Sequence, residues 1–207
     1  MVDVSKRYDK LSNVYGLLDA VPVISKGEYA WRRKLIEYIV PNNNEWVLEI
    51  GTGPGIMIKE AMTKYPDVCY AGIDISKKMI KIAKRNVPHA EFIVCDANNL
   101  PFKDNSISSI IYAFTLTTLP DYKGSLKESM RILKNEGKIG IMDGKKPSGK
   151  ISCFIFFFIK YTAIVIGKTY FGRDVISYIL NFKNLKTLFF KSFFMGMSYV
   201  MIVQIRK

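Results

Sequence analysis

The sequence predicts an α/β fold: a doubly wound, mostly parallel sheet that ends in an antiparallel hairpin. Three observations lead there. Short apolar runs alternate with segments of helical spacing through the middle of the chain. The first such run ends on a glycine cluster, Gly51-Thr52-Gly53-Pro54-Gly55, where a strand should turn into a helix. The last two runs, 187–194 and 198–205, are separated only by Met195, Gly196 and Met197. Parallel neighbours need a crossover of about a dozen residues or more, so this pair must be antiparallel.

Each element follows in order. The opening residues read as helix, with Tyr8, Leu11, Val14, Tyr15 and Leu18 at three- and four-residue spacing, until Pro22 interrupts them. A second helix over 28–40 puts Trp31, Leu35, Ile36 and Ile39 on one stripe and stops at Pro41 and three asparagines. Residues 46–50 form the first strand and 56–65 a helix. Residues 68–73 form the second strand, and the next helix carries Met79, Ile80, Ile82 and Ala83. Strands over 91–94, 109–114 and 138–142 follow, with a helix around 122–134 before the last of them. Right-handed crossovers make this a doubly wound sheet. Residues 151–167 read as a helix or a bent pair, and 173–182 as a helix. The chain is expected to be one domain over 1–207: a helical cap (1–45), a core (46–143), an aromatic basic insertion (144–183) and a terminal hairpin (184–207).

The chain has 207 residues, a net charge of +13 and 49% hydrophobic residues, which is globular composition. The charge is uneven. Residues 145–207 carry 11 basic side chains and only Asp174 acidic, together with 14 of the 27 aromatics. Several classes drop out. Cys69, Cys95 and Cys153 are an odd number without paired spacing, and there is one histidine, so neither a disulfide framework nor a His/Cys zinc site is expected. The first ten residues are charged, unlike a signal peptide. The longest apolar run, 151–167, contains Lys160 and falls short of the ~20 residues of a spanning helix.

Three strand ends carry polar groups in register. Glu49 and the glycines close the first strand; glycines there let a ligand approach the backbone. Ile56 occupies the position of the last glycine of a dinucleotide fingerprint, and no Gly-Lys-Ser/Thr follows, so neither that motif nor a Walker loop is present. Asp74 ends the second strand and could accept from both ribose hydroxyls of an adenosine. Asp96, at the end of the third, could accept from an adenine amino group. Taken singly, each has a plainer reading: a tight turn for the glycines and helix caps for Asp74 and Asp96.

Together these segments resemble the class I S-adenosylmethionine-dependent methyltransferases. The resemblance runs over roughly residues 5–143. It rests on VLEIGTGPG, GIDIS followed by Met79, DANNLPFKDNSIS, and ESMRILKNEGKIGIMD, with Tyr8-Asp9 and Trp31-Arg32-Arg33 before them. It is closest to the ubiquinone/menaquinone biosynthesis C-methyltransferases and the related phospholipid N-methyltransferases. Where that family has Pro-Gly-Gly, this chain has Asn135-Glu136-Gly137, in a turn expected to lie away from the cofactor. The resemblance implies S-adenosylmethionine as cofactor and a Rossmann-like core. It implies that Glu49, Gly51, Thr52, Gly53 and Gly55 hold the methionine part. Asp74 would hold the ribose, Ile75 and Met79 would flank the adenine, and Asp96 with Ala97 would reach its edge. The segment Phe114-Thr115-Leu116 would lie beside the sulfonium, and Tyr8 would close over the cofactor.

Candidate bases are Tyr8, Asp9, Tyr15, Asp121 and Asp143, with Asp143 and Tyr8 preferred. His89 precedes the third strand, at the wrong end of the sheet. A DNA acceptor lacks its signatures: Phe114-Thr115-Leu116-Thr117 stands where an Asn/Asp-Pro-Pro-aromatic motif would be, and no Pro-Cys is present. The basic aromatic tail suits a lipid-like acceptor and an anionic membrane surface. The expected function is methylation of a prenylated quinone precursor on carbon. The alternatives are N-methylation of an amino phospholipid and non-catalytic cofactor binding. The expected location is cytoplasmic, at the inner face of the membrane.

Overall fold

The computed structural model describes Lys6, Asp9, and residues 22–41, 44–147, 149, 170 and 173–207. Tyr8, Tyr15, most of the first expected helix and the apolar run 151–167 lie outside the described residues.

The elements are α1 (Pro22–Ile39), β1 (Trp46–Ile50), α2 (Ile56–Lys64), β2 (Cys69–Asp74), α3 (Lys77–Asn86), β3 (Glu91–Val94) and β4 (Ile107–Ala113). They continue with α4 (Tyr122–Ile132), β5 (Leu133–Gly144), α5 (Val175–Leu180), β6 (Leu185–Phe193) and β7 (Ser198–Ile205). The seven strands form one sheet in the order β3-β2-β1-β4-β5-β7-β6. The first five are parallel, and β7 runs antiparallel to both β5 and β6. This is the predicted architecture. Two boundaries differ from the sequence reading by more than two residues. Pro22 opens α1, because the first turn needs no N–H from it and its fixed φ suits a helix start. β5 begins at Leu133, so the strand absorbs the Asn135-Glu136-Gly137 turn, with Glu136 at φ 60°.

Period-2 alternation sends side chains to two cores. Val47, Tyr70, Ile111, Met142 and Val200 face α1, α2 and α3, where they meet Leu35, Ile39, Ile58 and Ile80. Leu48, Ile50, Ile110, Tyr112 and Ile141 face α4 and α5, where they meet Leu126, Ile132, Val175 and Ile179. Tyr112 is fully enclosed, yet its hydroxyl lies 2.7 Å from both Ser125 Oγ and Ser129 Oγ of α4. Buried hydroxyls require such partners.

The Arg131–Glu128 pair of α4 fixes the chain that follows β3. Glu128 accepts from Leu100 N at 3.0 Å, and Arg131 donates to the carbonyls of Phe102 and Leu100 at 2.9 and 3.1 Å. These residues, which carry part of the family resemblance, thereby hold the loop behind the third strand end.

Candidate active site

The carboxyl ends of the parallel strands share one rim. Strand order reverses there between β1 and β4, and a cavity of about 210 Å³ opens at that point. Two glycines, Gly51 and Gly53, line it, and with Gly55 all three glycines of the loop lie in the left-handed region. At Gly51 (φ 71°) a Cβ would lie 2.5 Å from Thr115 Cγ2, so the β1 turn and the β4 turn can touch only through glycine. At Gly53 (φ 51°) a Cβ would meet nothing within 4 Å; this backbone faces the open cleft. Gly55 caps α2 without lining the cleft, and a Cβ there would sit 3.3 Å from Ala83 and Phe92.

Asp74, at the end of β2, is anchored by the glycine loop. Its Oδ2 accepts from Gly53 N at 3.0 Å and its Oδ1 from Ser76 N at 2.8 Å. The Ile75 N–H also bonds this carboxylate, which has about four acceptor positions in all and so keeps room for a ligand. Burial raises the pKa of this carboxyl, against the pull of those N–H groups. Ile75 and Met79 supply an apolar wall beside it. Ser76 caps α3 by accepting from Met79 N at 3.2 Å, and its own hydroxyl donates to Asp9 Oδ1 at 2.5 Å. Asp9 therefore lies against this strand end. At the end of β3, Asp96 Oδ1 accepts from Asn98 N at 2.9 Å, and Ala97 packs beneath. Asn98 also lines the cleft; its Oδ1 is buried beside Gly124 with no hydrogen-bond partner. Phe114 lines the cleft with φ 53°, a strained conformation for a bulky residue, and its N–H donates to Met142 O at 2.7 Å.

Three expected site residues stand behind the cleft. Glu49 is 2% exposed; Thr52 Oγ1 donates to its Oε2 at 2.6 Å. Burial pushes the Glu49 carboxyl up to about 8 despite the nearby Arg32 charge, so it is mostly a neutral acid at pH 7. Asp143 has a different setting from that of a solvent-facing base. It is wholly enclosed and does not line the cleft. Its Oδ1 accepts from Thr117 Oγ1 (2.6 Å) and Gly144 N (2.7 Å), and its Oδ2 from Thr117 N (3.1 Å). It ties β5 to the turn after β4, and burial raises its pKa to about 6. Tyr8 lies outside the described residues.

Thr115 lines the far wall beside Phe114, as the resemblance implies, whereas Leu116 is buried beneath it; Thr118, Leu119 and Pro120 continue that wall without having been expected there, and so does Asp121, a candidate base. The turn after β4 has no periodicity to announce it. Asp121 caps α4, accepting from Gly124 N at 2.9 Å. His89 is exposed before β3, remote from this rim. No cluster of His, Cys, Asp or Glu able to hold a metal occurs among the described residues.

Comparison with known proteins bears on the same region. Residues 48–141 match the family model described as a methyltransferase domain. The chain is 33% identical to the demethylmenaquinone methyltransferase of Thermotoga maritima over 186 residues, covering 84% of this chain and 79% of that protein. It is 28% identical to the ubiquinone/menaquinone biosynthesis C-methyltransferase of Desulfotalea psychrophila, covering 80% and 68%. Among solved structures, it resembles the geranyl diphosphate C-methyltransferase of Streptomyces coelicolor, determined with Mg²⁺, geranyl diphosphate and S-adenosyl-L-homocysteine. The TM-score is 0.68 at 15% identity, covering 87% of this chain and 78% of that one.

Proposed function

Because this chain belongs to the class I S-adenosylmethionine-dependent methyltransferases, with the ubiquinone/menaquinone biosynthesis enzymes among its relatives, we propose that its acceptor is a prenylated hydroquinone methylated on a ring carbon. The likeness to the Thermotoga demethylmenaquinone methyltransferase, over most of the length of both chains, carries this reading.

The residues present fit the cofactor. Gly53 leaves room at the backbone, and Asp74 offers carboxylate acceptors at the end of β2. In this reading Asp74 takes the ribose hydroxyls, and Ile75 and Met79 flank the adenine. Asp96 with Ala97 meets its edge, and the glycine loop borders the methionine part. Glu49 and Thr52 brace that loop from beneath. Bound there, S-adenosylmethionine supplies an electrophilic methyl group on a sulfonium. The chain's own work is alignment and exclusion of water. Thr115 and Phe114 form the wall beside the reacting end. A carbon acceptor reacts through an ionised ring hydroxyl, and among the described residues Asp121 is the candidate base that lines the cleft.

A prenylated acceptor resides in a bilayer. No helix among the described residues is long and apolar enough to cross one. The edge strand β6 exposes Leu188 and Phe190 between Lys186 and Lys191, and Met195 follows at 60% exposure. Apolar side chains among lysines suit an anionic bilayer surface, and we read this edge as a peripheral membrane contact of a single-domain enzyme.

The test is incubation of purified protein with methyl-labelled donor and either short-chain demethylmenaquinol or phosphatidylethanolamine. Label in the quinol is the expected result. Label in the phospholipid alone would reassign the enzyme to N-methylation, and label in neither would remove both acceptors.

A further inference from the structure

A second cavity, of about 280 Å³, lies at the carboxyl end of β5. Its lining includes Gly144, Lys145, Lys146, Arg173, Asp174 and Tyr199. Three cationic side chains thus share it with one carboxylate, Asp174, whose Oδ1 is occupied by Ser177 N at 3.0 Å. The other nearby acid, Asp143, is sealed beneath the sheet edge with both oxygens already accepting hydrogen bonds.

Tyr199 stands directly opposite Asp143 in the β5–β7 pairing. It is 1% exposed, and its hydroxyl is buried with no hydrogen-bond partner. A buried hydroxyl left unpaired costs stability, and in native structures it calls for a reason. The enclosed Tyr112 shows the usual outcome, with two serine partners. Tyr199 has none while lining a cavity rimmed with positive charge.

Arg173 links this cavity to the donor cleft. Its guanidinium donates to the carbonyls of Leu119 and Pro120, both of which line that cleft. It is also stacked over Tyr170, 3.9 Å from the ring centre, and over Tyr122 at 5.2 Å. The Lys145 ammonium lies 5.6 Å from the centre of the Phe190 ring, and its backbone N–H is held by Met197 O. The aromatic faces fix two of the cations without neutralising them.

We propose that this cavity is an oxyanion subsite for the methyl acceptor: Lys145, Lys146 and Arg173 supply positive charge, and the Tyr199 hydroxyl donates the hydrogen bond it otherwise lacks. The ligand chemistry is a negatively charged oxygen, carried either by an ionised ring hydroxyl or by a phosphate. The proposal deepens the hydroquinone reading and rests on it for the acceptor's identity, whereas the oxyanion chemistry rests on the cavity itself. Cations around a phenol oxygen favour its ionised form, the form in which the neighbouring ring carbon becomes nucleophilic.

The test is calorimetric titration of the S-adenosylhomocysteine complex with inorganic pyrophosphate and, separately and without oxygen, with 1,4-naphthohydroquinone. Wild type, Y199F and a K145A/K146A double variant are compared. Wild type should bind one of the two probes, and which one it binds identifies the source of the oxyanion. Both variants should weaken that binding about tenfold or more, as loss of a charge-assisted hydrogen bond or of two charges does, with S-adenosylhomocysteine affinity unchanged. Y199F should keep or raise the melting temperature, because it removes an unpaired buried hydroxyl; a tyrosine with only a structural role would not couple that result to lost probe binding. Failure of wild type to bind either probe, or equal binding by the variants, overturns the subsite. Pyrophosphate binding that the variants weaken, in a protein that leaves demethylmenaquinol unlabelled, would keep the subsite and remove the quinone.

Discussion

Replacing Gly53 by alanine separates the two jobs of the glycine loop. The residue sits at φ 51°, and a Cβ there would meet no protein atom within 4 Å. The only cost to the fold is the left-handed backbone, roughly 1–2 kcal/mol for a residue with a Cβ. In a domain of this size each kcal/mol lowers the melting temperature by about 2–4 °C, so G53A should melt about 2–8 °C below wild type. The same methyl group projects into the cleft, where the donor's methionine part is to run. A tenfold loss of S-adenosylmethionine affinity, about 1.4 kcal/mol, is the least expected. Gly51 gives the contrast. Its φ of 71° carries the same strain, but its Cβ would press on Thr115 Cγ2 at 2.5 Å, adding roughly 1–3 kcal/mol of overpacking. G51A should therefore be clearly less stable than G53A. Thermal melts with and without donor, alongside calorimetric titration, read both quantities. The reasoning fails if G53A binds the donor within about twofold of wild type, or if the two variants melt together.

Other outcomes follow from the same geometry. Glu49 titrates near 8 in the folded chain and Asp143 near 6, both above their ordinary carboxylate values near 4 in an unfolded chain. The folded state binds more protons across those windows, so stability should fall as pH rises from about 4.5 to 8, with Asp143 contributing only up to about 6. Urea midpoints of wild type and E49Q should diverge as pH rises from about 4.5 to 8, with E49Q flatter; parallel curves would contradict the burial argument. Y112F strands the Ser125 and Ser129 hydroxyls and should cost about 1–3 kcal/mol in denaturant unfolding while leaving donor affinity intact. D121N should lower the transfer rate at unchanged donor affinity; an unaltered rate would take Asp121 out of proton transfer.

The fold was legible because each strand from β1 to β5 is followed or preceded by a helix of clear period, and because three residues cannot join parallel strands. The donor side was legible for a related reason. Gly51, Gly53, Asp74 and Asp96 sit at strand ends, and strand ends can be counted. Asp143 looked equivalent by that count, but the sequence does not reveal that Thr117 would reach both of its oxygens. Thr115 was legible from the resemblance, but the rest of the wall, Thr118, Leu119 and Pro120, was not, because its shape depends on the close approach of the β1 and β4 turns. That contact, at Gly51, exists only in three dimensions. The unpaired Tyr199 hydroxyl was equally hidden. As one more aromatic in a basic tail, it had no signal of its own until β7 paired with β5.

Donor binding through Asp74 is the pivot of the account, and calorimetric titration of S-adenosylmethionine into wild type and D74A tests it most directly. Two hydrogen bonds from ribose hydroxyls to a carboxylate, at roughly 1.5–3 kcal/mol each, predict tight binding by wild type and a loss of about a hundredfold or more in a folded D74A. Equal affinity in the two proteins, or no binding by wild type, would contradict it.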